Sequence, residues 1–241
     1  IQGVGLGSIT DILTSIRYNV YDRKNITWDE LLKAMEADFE GCDQLRYDLI
    51  YNTPKYGNDD DYADQQAVTV FEVYYDAVNG RPCSRGGVHR INMLPTTSHV
   101  YFGSVTGATA DGRKAFTPLS EGISPSQGVD SNGPTSVIRS ASKIDHLRTG
   151  GTLLNQKFSP SFFDDENSYN CLTSLIRSYF SLDGHHIQFN VVNAETLRDA
   201  QKHPELYRDL IVRVAGYSDY FNDLGEDLQN EIILRTEHES A

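Results

Sequence analysis

The sequence predicts a mixed α/β chain, and three observations carry that expectation. Residues 1–80 hold apolar side chains at helical spacing, and residues 187–214 hold two short alternating or β-branched runs set between helical patterns. Between them, residues 105–135 are rich in glycine, proline and serine yet keep scattered aromatic and aliphatic side chains. A chain of 241 residues has room for one large domain or two small ones. It begins at Ile1 and enters Gly3-Val-Gly-Leu-Gly7 at once, which reads as a piece of a longer polypeptide.

Taken in order, Ser8 is placed to cap a helix showing Ile9, Ile12, Leu13 and Ile16 on one face. Thr27 and Glu30 form a capping box ahead of Leu31, Leu32, Met35 and Phe39. A third helix runs from Gln44 to Tyr51 and stops before Pro54. The carboxylates of Asp59, Asp60 and Asp61 lack the alternating ligands and distant glutamate of a calcium loop, so they read as a solvated turn and helix N-terminus. The helix that follows, about Tyr62 to Asn79, carries Val68, Phe71, Val73, Tyr74, Tyr75 and Val78 on more than one face and is expected to pack deeply, with Gly80 ending it.

Val88 to Val105 reads as extended chain interrupted at Pro95, whose missing donor argues against a regular central strand. The glycine-rich stretch beyond it reads as an ordered functional loop rather than a linker, because apolar residues are spread through it and charge does not build up. Leu172, Leu175, Ile176, Tyr179 and Phe180 mark a helix, and Ile187, Phe189 and Val191 alternate as a strand. Glu195–Lys202 and Glu205–Leu210 are short helical pieces around Pro204. Ile211–Val214 is a β-branched strand running into Gly216 and an aromatic turn; Asp223 then caps a last helix with Leu228, Ile232 and Ile233 inward.

Lys and Arg number 21 against 34 Asp and Glu, a net charge of −13 with no basic cluster, which argues against nucleic acid or an anionic membrane surface as partner. No apolar run approaches the roughly 20 residues of a membrane span. Cys42, Cys83 and Cys171 are odd in number and far apart, fitting a reducing cytoplasm and no metal-binding pair. Three other patterns carry little weight. Ser140-x-x-Lys143 has the spacing of an acyl-serine site, but its would-be partner motif at Arg148-Thr-Gly150 is too close in sequence. Gly3-x-Gly5-x-Gly7 lacks the third-glycine spacing of a dinucleotide loop. His185 and His186 precede an alternating strand and point to opposite faces, so no metal site is expected.

Gly216 alone is explained by a turn that needs positive φ or close backbone approach. The whole string Arg213-Val-Ala-Gly-Tyr-Ser218, followed by a terminal helix ending at Arg235-Thr-Glu-His238, resembles the radical-bearing segment of the glycyl radical enzymes. Met93-Leu-Pro-Thr-Thr-Ser-His-Val-Tyr-Phe-Gly103, Asp111-Gly-Arg-Lys-Ala115, Pro118-Leu-Ser-Glu-Gly-Ile-Ser-Pro125 and Gly150-Gly-Thr-Leu-Leu-Asn-Gln-Lys-Phe158 are similar, in the same order, to the C-terminal part of dehydratases and lyases of that family. The resemblance covers nearly the whole chain, and five strings in register make it specific.

The resemblance implies the C-terminal part of a ten-stranded α/β barrel with a terminal radical domain. Residues 1–90 would be the mainly helical outer part, 91–203 barrel strands and long ordered loops, and 204–241 the glycyl radical domain. It implies that Gly216 is catalytic, with Arg213, Ala215, Tyr217 and Ser218 supporting its loop, and that Met93, Pro95, Thr96 and Thr97 line the substrate pocket. Thr96 would bond a substrate hydroxyl or carboxylate; equally, Thr96 and Thr97 would satisfy backbone groups around Pro95. Arg213 is expected to form an ion pair or bind carbonyls. The loop should be buried at rest, yet able to leave the core.

No permanently bound cofactor is implied. The radical on Gly216 is installed by a separate activating enzyme that uses S-adenosylmethionine and an iron–sulfur cluster. It is then passed to a cysteine expected upstream of Ile1, since none of the three cysteines lies in the family's Gly-Cys-x-Glu-like loop. The implied partners are that activating enzyme, the upstream part of the same polypeptide, a small-molecule substrate and a second copy as a homodimer, in the cytoplasm. The texture around His89–His99 points to a dehydratase of a small hydroxylated substrate, hydroxyproline or a diol. Alternatives are a carbon–nitrogen, carbon–sulfur or carbon–carbon lyase of the family (choline trimethylamine-lyase, isethionate sulfite-lyase or formate acetyltransferase type), a replacement glycyl radical module, or a radical-dead structural subunit.

Overall fold

The computed structural model describes residues 1–238, Glu166 through its backbone alone; residues 239–241, the end of the expected terminal domain, lie outside the described residues. Its centre is a parallel three-stranded sheet, with β1 (Leu154–Phe158) flanked by β2 (Ile187–Val191) and by β5 (Glu237–His238). Helix α7 (Glu166–Ser181) provides the crossover from β1 to β2. All five residues of β1 are buried, as expected of a parallel strand covered on both faces.

The two faces differ in chemistry. Leu154, Phe158, Ile187 and Phe189 join the main apolar core with Phe71, Ile91, Met93, Ile138 and Tyr179. Asn155 pairs in register with Gln188, and Lys157 with Asn190, so these four polar side chains share the opposite face. Each is buried. The expected alternation in β2 is therefore present, but the glutamine and asparagine are its deeply buried residues and Val191 is exposed.

The helical part follows the expected order with one inversion. Helix α1 (Leu6–Ser15) starts at Gly5, at φ 80°, and Ser8 lies inside it rather than at its cap. Its buried face is the small polar one: Ser8 exchanges hydrogen bonds with Ser120, Ser15 donates to the Ala110 carbonyl, and Asp11 accepts from the Tyr56 N–H. Ile9 is exposed, and Ile12 and Leu13 are half-buried. The reason is steric: at Gly7 a Cβ would stand 2.6 Å from the Ser124 carbonyl oxygen, so only a small-residue face can approach that loop. A π-helical segment, Ile16–Asp22, continues α1.

Helix α2 (Trp28–Glu36) has the full Thr27–Glu30 capping box, and α3 (Asp43–Tyr51) follows. Asp60 caps α4 (Asp61–Val78). Only one face of α4 is buried, through Ala63, Asp64, Ala67 and Phe71, while Val73 is exposed, so packing on several faces is not found.

Extended chain holds only as far as Met93, which bridges to Thr152; after Pro95 the chain turns at Thr96, φ 54°, into α5 (Ser98–Ser104). The glycine-rich stretch is an ordered loop, with Ser120, Glu121, Ile123 and Ser124 buried. Its end is helical, α6 (Gly133–Ala141), where Pro134 opens the first turn, a position that needs no N–H donor. Ser140 and Lys143 both bind Asp64, at 2.8 and 2.7 Å, and Asp61 and Asp59 also bind the ammonium. Lys143 is thus held above the ordinary lysine range by carboxylates and is no base for a serine.

Asn193 caps α8 (Ala194–Lys202), and the helical piece expected over Glu205–Leu210 is a single 3₁₀ turn, Pro204–Leu206. The aromatic turn is instead the returning strand of an antiparallel hairpin, β3 (Ile211–Arg213) and β4 (Ser218–Tyr220). The last helix, α9 (Glu226–Leu234), opens after Gly225, because Phe221 and Leu224 are pinned in the second apolar core and hold Phe221–Asp223 as a 3₁₀ turn. It stops before Arg235, and Glu237–His238 enters the sheet. No described helix is long and apolar enough to cross a membrane.

Burial pushes the Asp11 carboxyl up to about 7, against the pull of Lys55. An acid whose folded pKa lies above its unfolded value favours folding most when protonated; its contribution is full below about pH 4 and is lost as pH rises toward 7. The melting temperature is expected to fall over that window, and Asp11→Asn, which keeps the acceptor for Tyr56, to flatten the fall; thermal denaturation from pH 4 to 8 reads both slopes.

Candidate active site

Gly216 lies at the tip of the β3–β4 hairpin with φ +79°. That left-handed conformation, rather than lack of space, demands glycine: an added Cβ would meet only Leu153 at 3.8 Å and Leu94 at 4.0 Å, both ordinary contacts. One side of the hairpin is packed, since Val212, Val214 and Ala215 are buried with Leu153, Phe221, Ile232 and Ile233. No described residue of this chain covers the other side, and Gly216, Tyr217 and Ser218 are exposed there.

The turn is not closed by its own backbone in the usual way. The Val214 N–H donates to the Tyr217 carbonyl at 2.9 Å, but the Val214 carbonyl points inward and accepts from side chains. Its donors are Arg235 Nη1 at 3.0 Å, Gln188 Nε2 at 3.2 Å and Asn155 Nδ2 at 3.5 Å. Gln188 Oε1 accepts from the Gly216 N–H at 2.9 Å and from Arg213 Nε at 3.0 Å, while Nε2 also donates to Asn155 Oδ1. All four hydrogen-bonding positions of the Gln188 amide are used, which fixes its orientation. One step along β2, Asn190 accepts from the Arg213 N–H and donates to the Arg213 carbonyl, each at 2.7 Å.

Beneath this lies a buried ion pair. Arg235 holds Glu231 through contacts of 2.7–3.2 Å, and Glu231 also receives Gln127 Nε2 at 3.1 Å and faces His99 at 3.5 Å. Burial alone would raise the Glu231 carboxyl, but Arg235 and His99 outweigh it and hold it far below the usual range. Lys157 donates to the Ile233 carbonyl at 3.0 Å, and burial draws its ammonium down to about 8. Arg235 thus ties α9 to the hairpin, and Lys157 ties α9 to the polar face of the sheet.

The structure brings Arg213, Ala215, Gly216, Tyr217 and Ser218 together on the hairpin. Arg213 reaches the Gln188 side-chain carbonyl and, at 3.3 Å, the Ser218 hydroxyl. Tyr217 is exposed, and burial of part of its ring followed by the nearby Asp219 raises its phenol. Met93 sits in the main core and Pro95 is buried. Thr96 is exposed, with its hydroxyl donating to the Pro95 carbonyl at 2.7 Å. Thr97 borders an open groove between α5 and the start of α9. Leu94, in the same segment, is the residue that approaches Gly216.

Leu94, Leu153, Asn155, Gln188, Asn190, Glu231 and Arg235 were not singled out by sequence reasoning. For Gln188 and Asn190 a signal existed: two uncharged amides at period 2 in a strand. Alternation reports two faces without saying which is buried.

Comparison with known proteins bears on this geometry. A pyruvate formate lyase-like family model matches residues 1–103, and a glycine radical family model matches residues 119–222. The chain is 56% identical over 237 residues to trans-4-hydroxy-L-proline dehydratase of Clostridioides difficile, covering 98% of this chain and 30% of that protein. The crystal structure of that dehydratase with trans-4-hydroxy-L-proline bound superposes with a TM-score of 0.97 over 99% of this chain. The glycerol-bound B12-independent glycerol dehydratase of Clostridium butyricum gives a TM-score of 0.93 at 48% identity, over 99% of this chain and 30% of that one. Isethionate sulfite-lyase of Desulfovibrio desulfuricans is 44% identical over 98% of this chain and 29% of that protein. The chain therefore spans about 30% of the length of these relatives.

Arg235→Met is expected to strand the Glu231 charge and release the Val214 carbonyl. The cost should be roughly 3–5 kcal/mol, the scale for breaking a buried pair from one side, and chemical denaturation of the variant beside the parent measures it.

Proposed function

The chain belongs to the pyruvate formate lyase-like glycyl radical enzymes, and on that premise we propose that it is the C-terminal portion of a glycyl radical dehydratase with Gly216 as its radical site. The observation that carries the reading is a glycine at φ +79° on an isolated hairpin tip, in a chain 56% identical to a hydroxyproline dehydratase. A radical on Cα gains from the flanking amide and carbonyl only when that centre can flatten, which a residue without Cβ allows. The substrate class we favour is a small hydroxylated molecule, with trans-4-hydroxy-L-proline first.

In this reading a separate activating enzyme, using S-adenosylmethionine and an iron–sulfur cluster, removes one hydrogen atom from Gly216 Cα. The glycyl radical then takes a hydrogen atom from a cysteine thiol in the part of the protein outside this chain, regenerating glycine and leaving a thiyl. The thiyl abstracts hydrogen from substrate, water is eliminated, and the hydrogen returns. This chain's residues hold the glycine: Gln188 and Arg235 fix the turn, and Leu94 and Leu153 give it an apolar neighbour. Met93, Pro95, Thr96 and Thr97 contribute to the pocket wall, Thr96 being exposed and free to turn its hydroxyl from Pro95 to a substrate. Homodimerisation and a cytoplasmic location accompany the reading.

A carbon–sulfur lyase is the second reading, favoured by the 44% identity to isethionate sulfite-lyase. The test is electron paramagnetic resonance on the full-length protein after anaerobic activation, followed by substrate turnover. A doublet from the α-hydrogen, absent in Gly216→Ala, is expected, with water released from trans-4-hydroxy-L-proline and no sulfite from isethionate. Silence in both samples, with an activating enzyme proven on another target, would remove Gly216 from the chemistry. Sulfite release would instead select the second reading.

A further inference from the structure

We propose that Gln188, supported by Asn190 and Asn155, is the latch that docks the Gly216 hairpin, a positioning residue whose side chain must let go before the glycine can leave the core. The proposal rests on the radical reading of Gly216 for its functional meaning, but the latch itself is a statement about hydrogen bonds. The hairpin and the parallel sheet share no backbone ladder. Besides the apolar packing of Val212, Val214 and Ala215 on Leu153 and Val192, what joins them is the polar face of the sheet, where four side chains each meet a backbone group of the terminal segment. Asn155 and Gln188 reach the Val214 carbonyl, Asn190 both groups of Arg213, Gln188 the Gly216 N–H, and Lys157 the Ile233 carbonyl.

Gln188 differs from its neighbours in holding two residues of one turn. Its amide mimics a strand, donating to the carbonyl of Val214 and accepting from the N–H of Gly216, so a single change in side-chain torsion frees the Gly216 N–H and leaves the Val214 carbonyl to Arg235 and Asn155 alone. The remaining contacts of the glycine are ordinary approaches to Leu94 and Leu153 that do not interlock. Side-chain amides give the Val214 carbonyl and the Gly216 N–H partners when the turn is docked and none of the cooperativity of a ladder when it departs. The Gly216 N–H bond also fixes the peptide plane on the nitrogen side of Cα, the plane over which an unpaired electron would spread.

The test uses the full-length protein and two independent readouts. Hydrogen exchange resolved at Gly216 in the unactivated protein should be slowed relative to the unstructured rate. Gln188→Met, of similar length but without polar atoms, should speed it roughly tenfold, the weight of one or two buried hydrogen bonds. Exchange in residues 154–158 should stay unchanged, reporting that the sheet is intact. Gln188→Asn, one methylene too short to span the turn, should act alike and serves if the methionine variant folds poorly.

The second readout is radical formation by the activating enzyme. It should be faster in the Gln188 variants, with lower kcat and little change in KM. A purely structural role would slow radical formation along with everything else. Unprotected exchange at Gly216 in the parent protein, or unchanged exchange in a folded Gln188 variant, overturns the latch. Slower radical formation would overturn its gating role. Absence of any radical in the parent protein would sink the reading of Gly216 while the exchange data still decide whether Gln188 latches the turn.

Discussion

The C-terminal part of this protein has to bury the hydrogen-bonding groups of a tight turn without giving them a strand to pair with. A lone buried carbonyl or N–H costs about 1–3 kcal/mol, so some other donor or acceptor must be supplied. Here the supply comes from the wrong-looking face of a parallel sheet, where Asn155, Lys157, Gln188 and Asn190 replace the aliphatic residues such a face ordinarily carries. Strand β1 is central and covered on both sides, so its second face can be polar only because each group on it finds a partner. The position of Gly216, the inward turn of the Val214 carbonyl and the site where α9 docks all follow from that constraint.

The Glu231–Arg235 pair extends the same logic. Two charges in the interior rarely add stability over an apolar pair of equal size. Their value lies in geometry: Arg235 leaves α9 at its C-terminal end and points a fixed guanidinium at Val214, so the terminal helix and the hairpin cannot shift independently. The end of helix α9 is thereby coupled to the turn through the carbonyl oxygens of Val214 and Arg213. The opposite side of the hairpin, with Gly216, Tyr217 and Ser218, is not covered by any described residue of this chain.

Much of this was legible in the sequence, and the misses share a cause. The helices over residues 28–36, 43–51 and 61–78 follow from caps and 3.6-residue spacing, and Gly216 from the string that surrounds it. Helix α1 was inverted because its face toward the core is glycine, serine, threonine and aspartate, chosen for close approach rather than for hydrophobicity. In β2 the alternation holds and Ile187 and Phe189 pack on a core, but alternation carries no sign that Gln188 and Asn190 are still more deeply buried. Helix α6 begins at Gly133-Pro134, which falls at the end of the stretch that reads as an ordered loop although Pro134 is also a good first helical residue. In each case hydrophobic patterning reports what prefers to be away from water, and cannot report polar groups that are buried because a partner awaits them.

The complete use of the Gln188 amide gives that position a diagnostic value for genome surveys. Strand propensity alone would welcome valine or isoleucine there, and such a replacement would leave the glycine string, and hence any motif search, untouched. A chain that keeps Arg-Val-Ala-Gly-Tyr but carries valine at the position of Gln188 on β2 would match the same string while its glycine N–H has lost its partner. Sequences are then sorted by the residue facing the turn as well as by the glycine itself.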